Sequence, residues 1–180
     1  MQGNDPPPRP ADELDRWCTA DGTEVVIRPL RSDDGALELR FIEALSPQTR
    51  YERTFSHRKG LAPGELRRLL RFDVREEVAL AAVVRTHDAD AFAAVARLKK
   101  SPDGQAFEFA IVVADAWQRH GIGARLLGRL LEFARSAGIR RVVGSTFATN
   151  EAMKGLAREA GFALRADPDD AAVTLLEIDL

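Results

Sequence analysis

The sequence predicts one α/β domain in which helices flank a mixed, mostly antiparallel sheet of six to seven strands. Its 180 residues, 45% of them hydrophobic, are enough for one good core. Strand-like runs follow one another directly before the middle of the chain, which favours antiparallel pairing there. Later strand-like runs alternate with amphipathic stretches, as in a βαβ crossover.

The N-terminal segment is polar and rich in proline. We expect residues 1–22 to form a disordered leader before a domain that spans residues 23–180. Residues 23–30 are rich in valine and isoleucine and are interrupted by Pro29, which predicts the first strand of the domain.

Three short helices are predicted after this strand. Ser32 and Asp33 can cap the first helix, in which apolar residues recur every four positions. Two more helices are expected from Ser46 towards Phe55 and from Pro63 to Leu70, because proline suits the first turn of a helix.

The rest of the chain has clearer periodic patterns. Two strand-like runs joined by a short polar segment predict a hairpin. A stripe of apolar residues at helical spacing, with arginines opposite, predicts a long helix that ends at Gly138. The predicted strands are 77–86, 91–100, 107–113, 141–147 and 172–180, and the predicted helices are 121–137 and 150–160.

The composition excludes several classes of function. A net charge of −2 provides no basic surface for nucleic acid or for an anionic membrane. The one cysteine excludes an internal disulfide, and the three histidines have no metal-ligand spacing, so no metal is expected. No apolar run approaches the roughly 20 residues of a membrane-spanning helix, and no signal-peptide pattern is present. We therefore expect a soluble, cytoplasmic protein.

The most informative segment joins the predicted strand 107–113 to the long helix. Gln118-Arg-His-Gly-Ile-Gly123 places two glycines where a helix begins, which presents backbone N–H groups to a phosphate. A P-loop needs Lys and then Ser or Thr after its second glycine, and a dinucleotide-binding loop needs a third glycine. Ala124, Arg125 and Leu126 satisfy neither pattern. A plain helix start eased by glycines is the alternative.

Glu108 is the candidate for acid–base chemistry on the strand before this loop. Aromatic and branched residues alternate onto one face of the strand, which leaves Glu108 on the other face with Ala110 and Val112. A carboxylate in such an apolar strand is expected to be partly desolvated, which raises its pKa towards the range of a general base. A glutamate that faces solvent near the preceding turn is the alternative, and the pattern alone does not decide between the two.

The glycine loop reads Q-x-x-G-x-G and resembles motif A of the GNAT superfamily of N-acetyltransferases. The order of elements resembles the GNAT fold over residues 23–180. The resemblance implies an acetyl-CoA cosubstrate, with its pantetheine bound by the main chain of the strand and its pyrophosphate bound by the loop. It also implies that an asparagine at the start of the next helix contacts the CoA moiety, and the same asparagine can cap that helix. The implied acetyl-CoA-binding residues are Ile111, Val112, Val113, Gln118, Arg119, His120, Gly121, Ile122, Gly123, Ala124 and Asn150.

Several segments resemble one GNAT branch, the bacterial protein lysine acetyltransferases whose targets include acyl-CoA synthetases. The proposed catalytic glutamate of that branch falls at Glu108. Many GNAT enzymes carry a tyrosine shortly before a Gly-Phe pair. This branch typically lacks the tyrosine, and no tyrosine occurs here from Leu156 to Phe162. The segments that carry the resemblance are Ile27–Arg31 with Asp33, Leu45–Tyr51 with Phe55, Phe107–Ala110, Asn150–Met153, Gly161–Phe162 and Asp167–Asp170.

These expectations combine into one function with two alternatives. We expect an acetyl-CoA-dependent N-acetyltransferase that acetylates an amine, and the first candidate for this amine is a lysine side chain of an acyl-CoA-synthetase-like protein. The amine attacks directly in a ternary complex, with Glu108 as the base. The alternatives are acetylation of a small-molecule amine and a non-catalytic module that senses acyl-CoA. No acidic cluster in the sequence favours a polycationic substrate, and the oligomeric state stays open.

Overall fold

The computed structural model describes residues 13–54, 64–73, 75–85 and 89–180. The strands are β1 (Asp15–Cys18), β2 (Glu24–Pro29), β3 (Glu77–Arg85), β4 (Asp90–Lys100), β5 (Phe107–Val113), β6 (Arg141–Phe147), β7 (Ala163–Ala166) and β8 (Val173–Asp179). The helices are α1 (Gly35–Ala44), α2 (Pro47–Thr54), α3 (Glu65–Leu70), α4 (Ile122–Ser136) and α5 (Glu151–Glu159), and a 3-10 turn lies at Asp115–Trp117.

The predicted mixed and mostly antiparallel sheet flanked by helices is confirmed. Its eight strands, more than the six to seven predicted, are arranged in the order β1-β2-β3-β4-β5-β6-β8-β7. Neighbouring strands pair antiparallel except β5 and β6, which are parallel and are connected through α4. The predicted hairpin is formed by β3 and β4.

Two short edge strands explain the larger strand count. β1 lies inside the segment 1–22 that we expected to be disordered, so that expectation is wrong for residues 15–18. Trp17 packs against the core, and Asp15 accepts a hydrogen bond of 2.6 Å from Arg125, which lowers the pKa of the Asp15 carboxyl. Both β1 and β7 have four residues, which is too short for a periodic pattern to be recognised in the sequence.

The other predicted elements agree with the structure to within a few residues wherever it describes them. The expected caps are wrong: α1 begins after Asp34 rather than after Ser32 or Asp33, and the Asp34 carboxylate accepts hydrogen bonds from Arg28 at 2.7 Å instead of capping the helix. The predicted leader up to residue 12, the helix end at Phe55, the helix start at Pro63 and the strand end at residue 86 lie outside the described residues.

Helices cover both faces of the sheet, and a hydrophobic core lies between the sheet and the helices on each face. On one face, α4 buries Leu126 and Leu130 beside α5. On the other face, α1 buries Phe41 against the strands. β5 contributes to both faces because successive strand residues point to opposite sides, so Phe109 faces α4 and α5 while Val112 faces α1. No helix in the described part of the chain is long and apolar enough to cross a membrane.

Candidate active site

The parallel strands β5 and β6 separate near the middle of the sheet. Their pairing is limited to Phe107 with Val142 and Glu108 with Val143. Beyond these pairs, β5 continues beside β4 as far as Val113, while β6 continues beside β8. The β6-facing edge of β5 is therefore open after Glu108, and an open edge presents backbone N–H and C=O groups to an extended ligand.

Gly144 and Phe109 explain where the strands separate. A Cβ atom built on Gly144 would lie 2.5 and 2.8 Å from two ring carbons of Phe109, so the ring lies directly against the β6 backbone one residue after the last pair. The same ring packs against Phe162 with a centroid separation of 4.8 Å. The sequence analysis missed Gly144, although glycine within a strand is a signal of close approach.

A cleft of about 760 Å³ surrounds this open edge, and its size is in the range of small-molecule sites. It extends from α2 across β5 and the glycine loop to α5. The structure brings most of the predicted site residues together there. The predicted residues that line the cleft are Glu108, Ile111, Val112, Val113, Gln118, Arg119, Gly121, Gly123, Ala124 and Asn150.

The glycine loop turns sharply into α4. Arg119 and Gly121 have φ values of 62° and 76°, in the left-handed region. Such residues reorient successive N–H groups towards one side, which makes an anion-binding concavity. Gly121 is the N-cap of α4 and supplies no side-chain cap, so the N–H groups of the first turn keep their hydrogen-bonding capacity for a ligand.

Two residues of the glycine loop that were predicted to bind acetyl-CoA do not line the cleft. Ile122 is fully buried in the core, so its backbone alone can serve a ligand. His120 is exposed, and its Nδ1 lies 2.8 Å from the carbonyl oxygen of Gln118. Gly123 has a packing role in addition to the predicted one, because a Cβ atom there would lie 3.2 Å from Val113 Cγ2.

Glu108 lies where β5 and β6 begin to separate, on the face of β5 that it shares with Ala110 and Val112. Its side chain is exposed and lines the cleft. The expected desolvation by an apolar strand is therefore wrong. Its cross-strand neighbour is Lys99 of β4. The placement leaves the carboxylate accessible to a substrate that enters the cleft.

Asn150 is the N-cap of α5, as predicted. Its side-chain oxygen accepts a hydrogen bond of 2.9 Å from the backbone N–H of Met153. Its side-chain nitrogen donates across the cleft to Glu52 of α2, at 3.1 Å. The sequence analysis missed Glu52 because this contact joins residues that are 98 positions apart.

A mutational prediction follows from this cap. Asn150→Ala is expected to lower the free energy of unfolding by about 1 kcal/mol because it leaves an N–H group of α5 without its acceptor. Asn150→Ser is the matched control, since serine can cap but cannot donate to Glu52 in the same way. Thermal and urea unfolding measure both variants. Equal losses in the two variants would contradict the capping role.

Asp115 attaches α2 to the segment between β5 and the glycine loop. Its carboxylate accepts hydrogen bonds from the backbone N–H of Ser46 at 2.9 Å, from the Ser46 hydroxyl at 2.8 Å and from the Thr49 hydroxyl at 2.7 Å. Burial raises the pKa of Asp115, but the hydrogen bonds from Ser46 and Thr49 outweigh it and leave the pKa lowered. The contact fixes the position of α2 beside the cleft.

Asp115→Asn is expected to lower the free energy of unfolding by about 1–2 kcal/mol near neutral pH, because the amide nitrogen meets groups that are already donors. A carboxyl whose native pKa is lowered stabilises the fold above its unfolded pKa of about 3.9, and this contribution is lost as pH falls through the native value. The difference between wild type and variant should thus shrink from pH 6 to pH 3 in urea titrations. A difference that stays constant with pH would contradict this account.

The cleft lining is rich in glutamate, which was not predicted from the sequence. Four glutamates line the cleft, namely Glu52, Glu108, Glu151 and Glu159. Arg119 is the only lysine or arginine among the described residues that line it. Glu151 forms an ion pair of 2.5 Å with Lys154, which lowers the pKa of its carboxyl. Apart from Glu151, whose charge Lys154 balances, these carboxylates favour a cationic group in the part of the cleft that they line. Within the described residues, no group of three or more His, Cys, Asp or Glu side chains is arranged to hold a metal ion.

Solved structures of other proteins share this architecture. The GNAT domain of S. lividans PAT is 27% identical and superposes with a TM-score of 0.83, covering 96% of this chain and 100% of that one. The structure of yncA from Salmonella typhimurium with its cofactor acetyl-CoA is 21% identical and superposes with a TM-score of 0.66, covering 87% of this chain and 94% of that one. The second likeness shows the fold alone.

Sequence comparison agrees with the structural one. Acetyltransferase PA5475 of Pseudomonas aeruginosa is 34% identical over 162 residues, which cover 89% of this chain and 87% of that protein. The family model for the acetyltransferase (GNAT) family matches residues 45–162, a range that includes α2, the open edge of β5, the glycine loop and Asn150. The chain belongs to the GNAT family of acetyltransferases.

Proposed function

We propose that this protein is an acetyl-CoA-dependent N-acetyltransferase that acetylates a lysine side chain of another protein, with an acyl-CoA-synthetase-like enzyme as the target. One observation carries the proposal: the open edge of β5, the uncapped start of α4 and the exposed carboxylate of Glu108 share one cleft. Family membership supports the acetyl transfer.

The cleft fits acetyl-CoA by the nature of its donors and acceptors. The unpaired main chain of residues 111–113 can bond the amides of pantetheine, as a strand would. The N–H groups of residues 119–124 and the positive end of the α4 dipole suit the pyrophosphate, and Gly121 keeps the approach open because nothing lies within 4 Å of its Cβ position. Bound there, acetyl-CoA supplies the activated acetyl group.

Glu108 can act as general base for the transfer. A lysine reaches the cleft as an ammonium and becomes a nucleophile when Glu108 accepts one of its protons, directly or through a water. The nitrogen forms a bond to the acetyl carbon as the carbon–sulfur bond breaks, and a second proton of the nitrogen goes to the departing thiolate. Glu108 then returns its proton to solvent, so the step is balanced without a covalent enzyme intermediate.

The acidic cleft supports a cationic acceptor. The sequence resemblance to bacterial protein lysine acetyltransferases and the similarity to the GNAT domain of S. lividans PAT support a protein lysine. The same glutamates also favour a small cationic amine, such as a polyamine, which is the second candidate.

The proposal is tested by incubating the protein with acetyl-CoA and either a bacterial proteome or a panel of polyamines and amino acids. Release of free thiol measures turnover, and mass spectrometry locates new acetyl-lysines. We expect thiol release that depends on protein and one dominant lysine site in an acyl-CoA synthetase. Turnover with small amines alone would support the second candidate, and acetyl-CoA binding without any thiol release would indicate a sensor.

A further inference from the structure

We infer that Glu52 is the residue that recognises the positive charge of the acceptor amine, and that it is separate from the base Glu108. The inference rests on the proposed function and deepens it, since it assigns two different tasks to two carboxylates of one cleft. Recognition and proton removal then depend on different elements of the fold, α2 for the first and β5 for the second.

Glu52 and Glu108 lie on the same side of the sheet. Leu45, shortly before α2, is buried in the core on the face to which Glu108, Ala110 and Val112 point, while α4 and α5 pack on the opposite face. Glu108 and Ala110 are exposed on that face, and both line the cleft together with Glu52. An acceptor that approaches Glu108 from this face therefore passes beside α2.

The carboxylate of Glu52 is held by neutral groups. Gln48 Nε2 donates to one oxygen at 2.6 Å, and Asn150 Nδ2 donates to the other at 3.1 Å. Within the described residues these two amides are the partners of Glu52, and no lysine or arginine forms an ion pair with it. A carboxylate offers about four acceptor sites, so each oxygen keeps capacity for an ammonium donor.

α2 holds this carboxylate in a fixed place. Asp115 accepts hydrogen bonds from Ser46 and Thr49 at the start of the helix. Near its end, the ring of Tyr51 stacks on Phe147 of β6 with a centroid separation of 4.9 Å and an interplanar angle of 14°. Side chains supported in this way can orient a ligand because little freedom is lost on binding.

The chemistry of the acceptor explains why a second carboxylate is useful. Once Glu108 has accepted a proton, both Glu108 and the amine are neutral, and a positive charge returns to the nitrogen when it attacks the acetyl carbon. Glu52 exchanges no proton in the reaction, so its carboxylate can accept hydrogen bonds from the nitrogen on entry as an ammonium and again after the attack. It favours cationic amines over neutral ones through charge-assisted hydrogen bonds.

The test compares wild type with Glu52→Gln in steady-state thiol-release assays, using as acceptor a synthetic peptide around the lysine that mass spectrometry identifies. We expect KM for the peptide to rise about tenfold or more, with kcat and KM for acetyl-CoA changed less than about twofold. Glu52→Asp, which keeps the charge, should recover part of the loss. Glu43→Gln, an exposed glutamate of α1 that does not line the cleft, is the matched control for a lost surface charge.

Three outcomes overturn the inference. An unchanged peptide KM in Glu52→Gln excludes a role in recognition. A loss confined to kcat assigns Glu52 to the chemical step instead. A parallel loss of thermal stability and of acetyl-CoA affinity shows that Glu52 acts through Asn150 and α5. Failure of the proposed function is distinguishable, because wild-type protein would then bind acetyl-CoA and acetylate no amine.

Discussion

Replacing Glu108 by glutamine is expected to lower kcat by about 10²–10⁴-fold, the range that general bases contribute, while acetyl-CoA still binds with nearly its original affinity. Glutamine has nearly the same shape but cannot take a proton from the ammonium. Glu108 is at the last paired position of β5 and β6, before the open edge begins, so the substitution leaves the predicted pantetheine-binding backbone unchanged. Thiol release measures kcat, and titration calorimetry measures the binding of acetyl-CoA.

The pH dependence separates a base from a residue that merely binds. Loss of a general base makes the remaining rate depend on the small fraction of acceptor that is already deprotonated, so the activity of Glu108→Gln should increase steeply with pH towards the pKa of lysine, about 10.4. Wild type should depend less steeply on pH over the same interval. A kcat within twofold of wild type in Glu108→Gln contradicts the assignment. Glu43→Gln again serves as the control for a lost charge outside the cleft.

The parts of the site that sequence predicted are those that local pattern encodes. The glycine loop and the start of α4 occupy six adjacent residues from Gln118 to Gly123, and their spacing alone implies exposed N–H groups at a helix start. Strand alternation separates Glu108 from the aromatic face of β5, and that alternation is confirmed by the two cores. Asn150 was predicted as a cap for the same local reason.

The parts that sequence did not predict depend on contacts between distant segments. Asp115 and Thr49 are 66 positions apart in the sequence, and Asn150 and Glu52 are 98 positions apart. A local hydrophobic or capping pattern therefore cannot predict either contact. The same reason explains why the glutamates of the cleft were not expected to share one site: they come from α2, β5 and α5 and line one cleft only when the sheet is assembled. The exposure of Glu108 was also missed, because the separation of β5 from β6 leaves its surroundings open rather than apolar.

Gly144→Ala is expected to destabilise the protein by overpacking the sheet. The added Cβ atom would lie 2.5 Å from a ring carbon of Phe109, whose side chain is buried against Phe162 and has little room to move. Overpacking of this kind costs about 1–3 kcal/mol, and each kcal/mol lowers the melting temperature of a chain of this size by about 2–4 °C. Gly128→Ala is the matched control, because nothing lies within 4 Å of its Cβ position in α4, and it should stabilise the protein by about 0.5–1 kcal/mol.

The same substitution tests whether the Phe109 ring maintains the open edge of β5. In Gly144→Ala the ring must leave the β6 backbone, and the strands beyond the last pair at Glu108 and Val143 are expected to shift relative to one another. Acetyl-CoA affinity should therefore fall in parallel with stability, whereas a purely global destabilisation leaves the affinity of the folded fraction unchanged. The double variant Phe109→Leu with Gly144→Ala removes the clashing ring carbons and should be less destabilised than the sum of the two single variants. Additive losses in this double-mutant cycle would contradict direct contact between the ring and residue 144 as the cause.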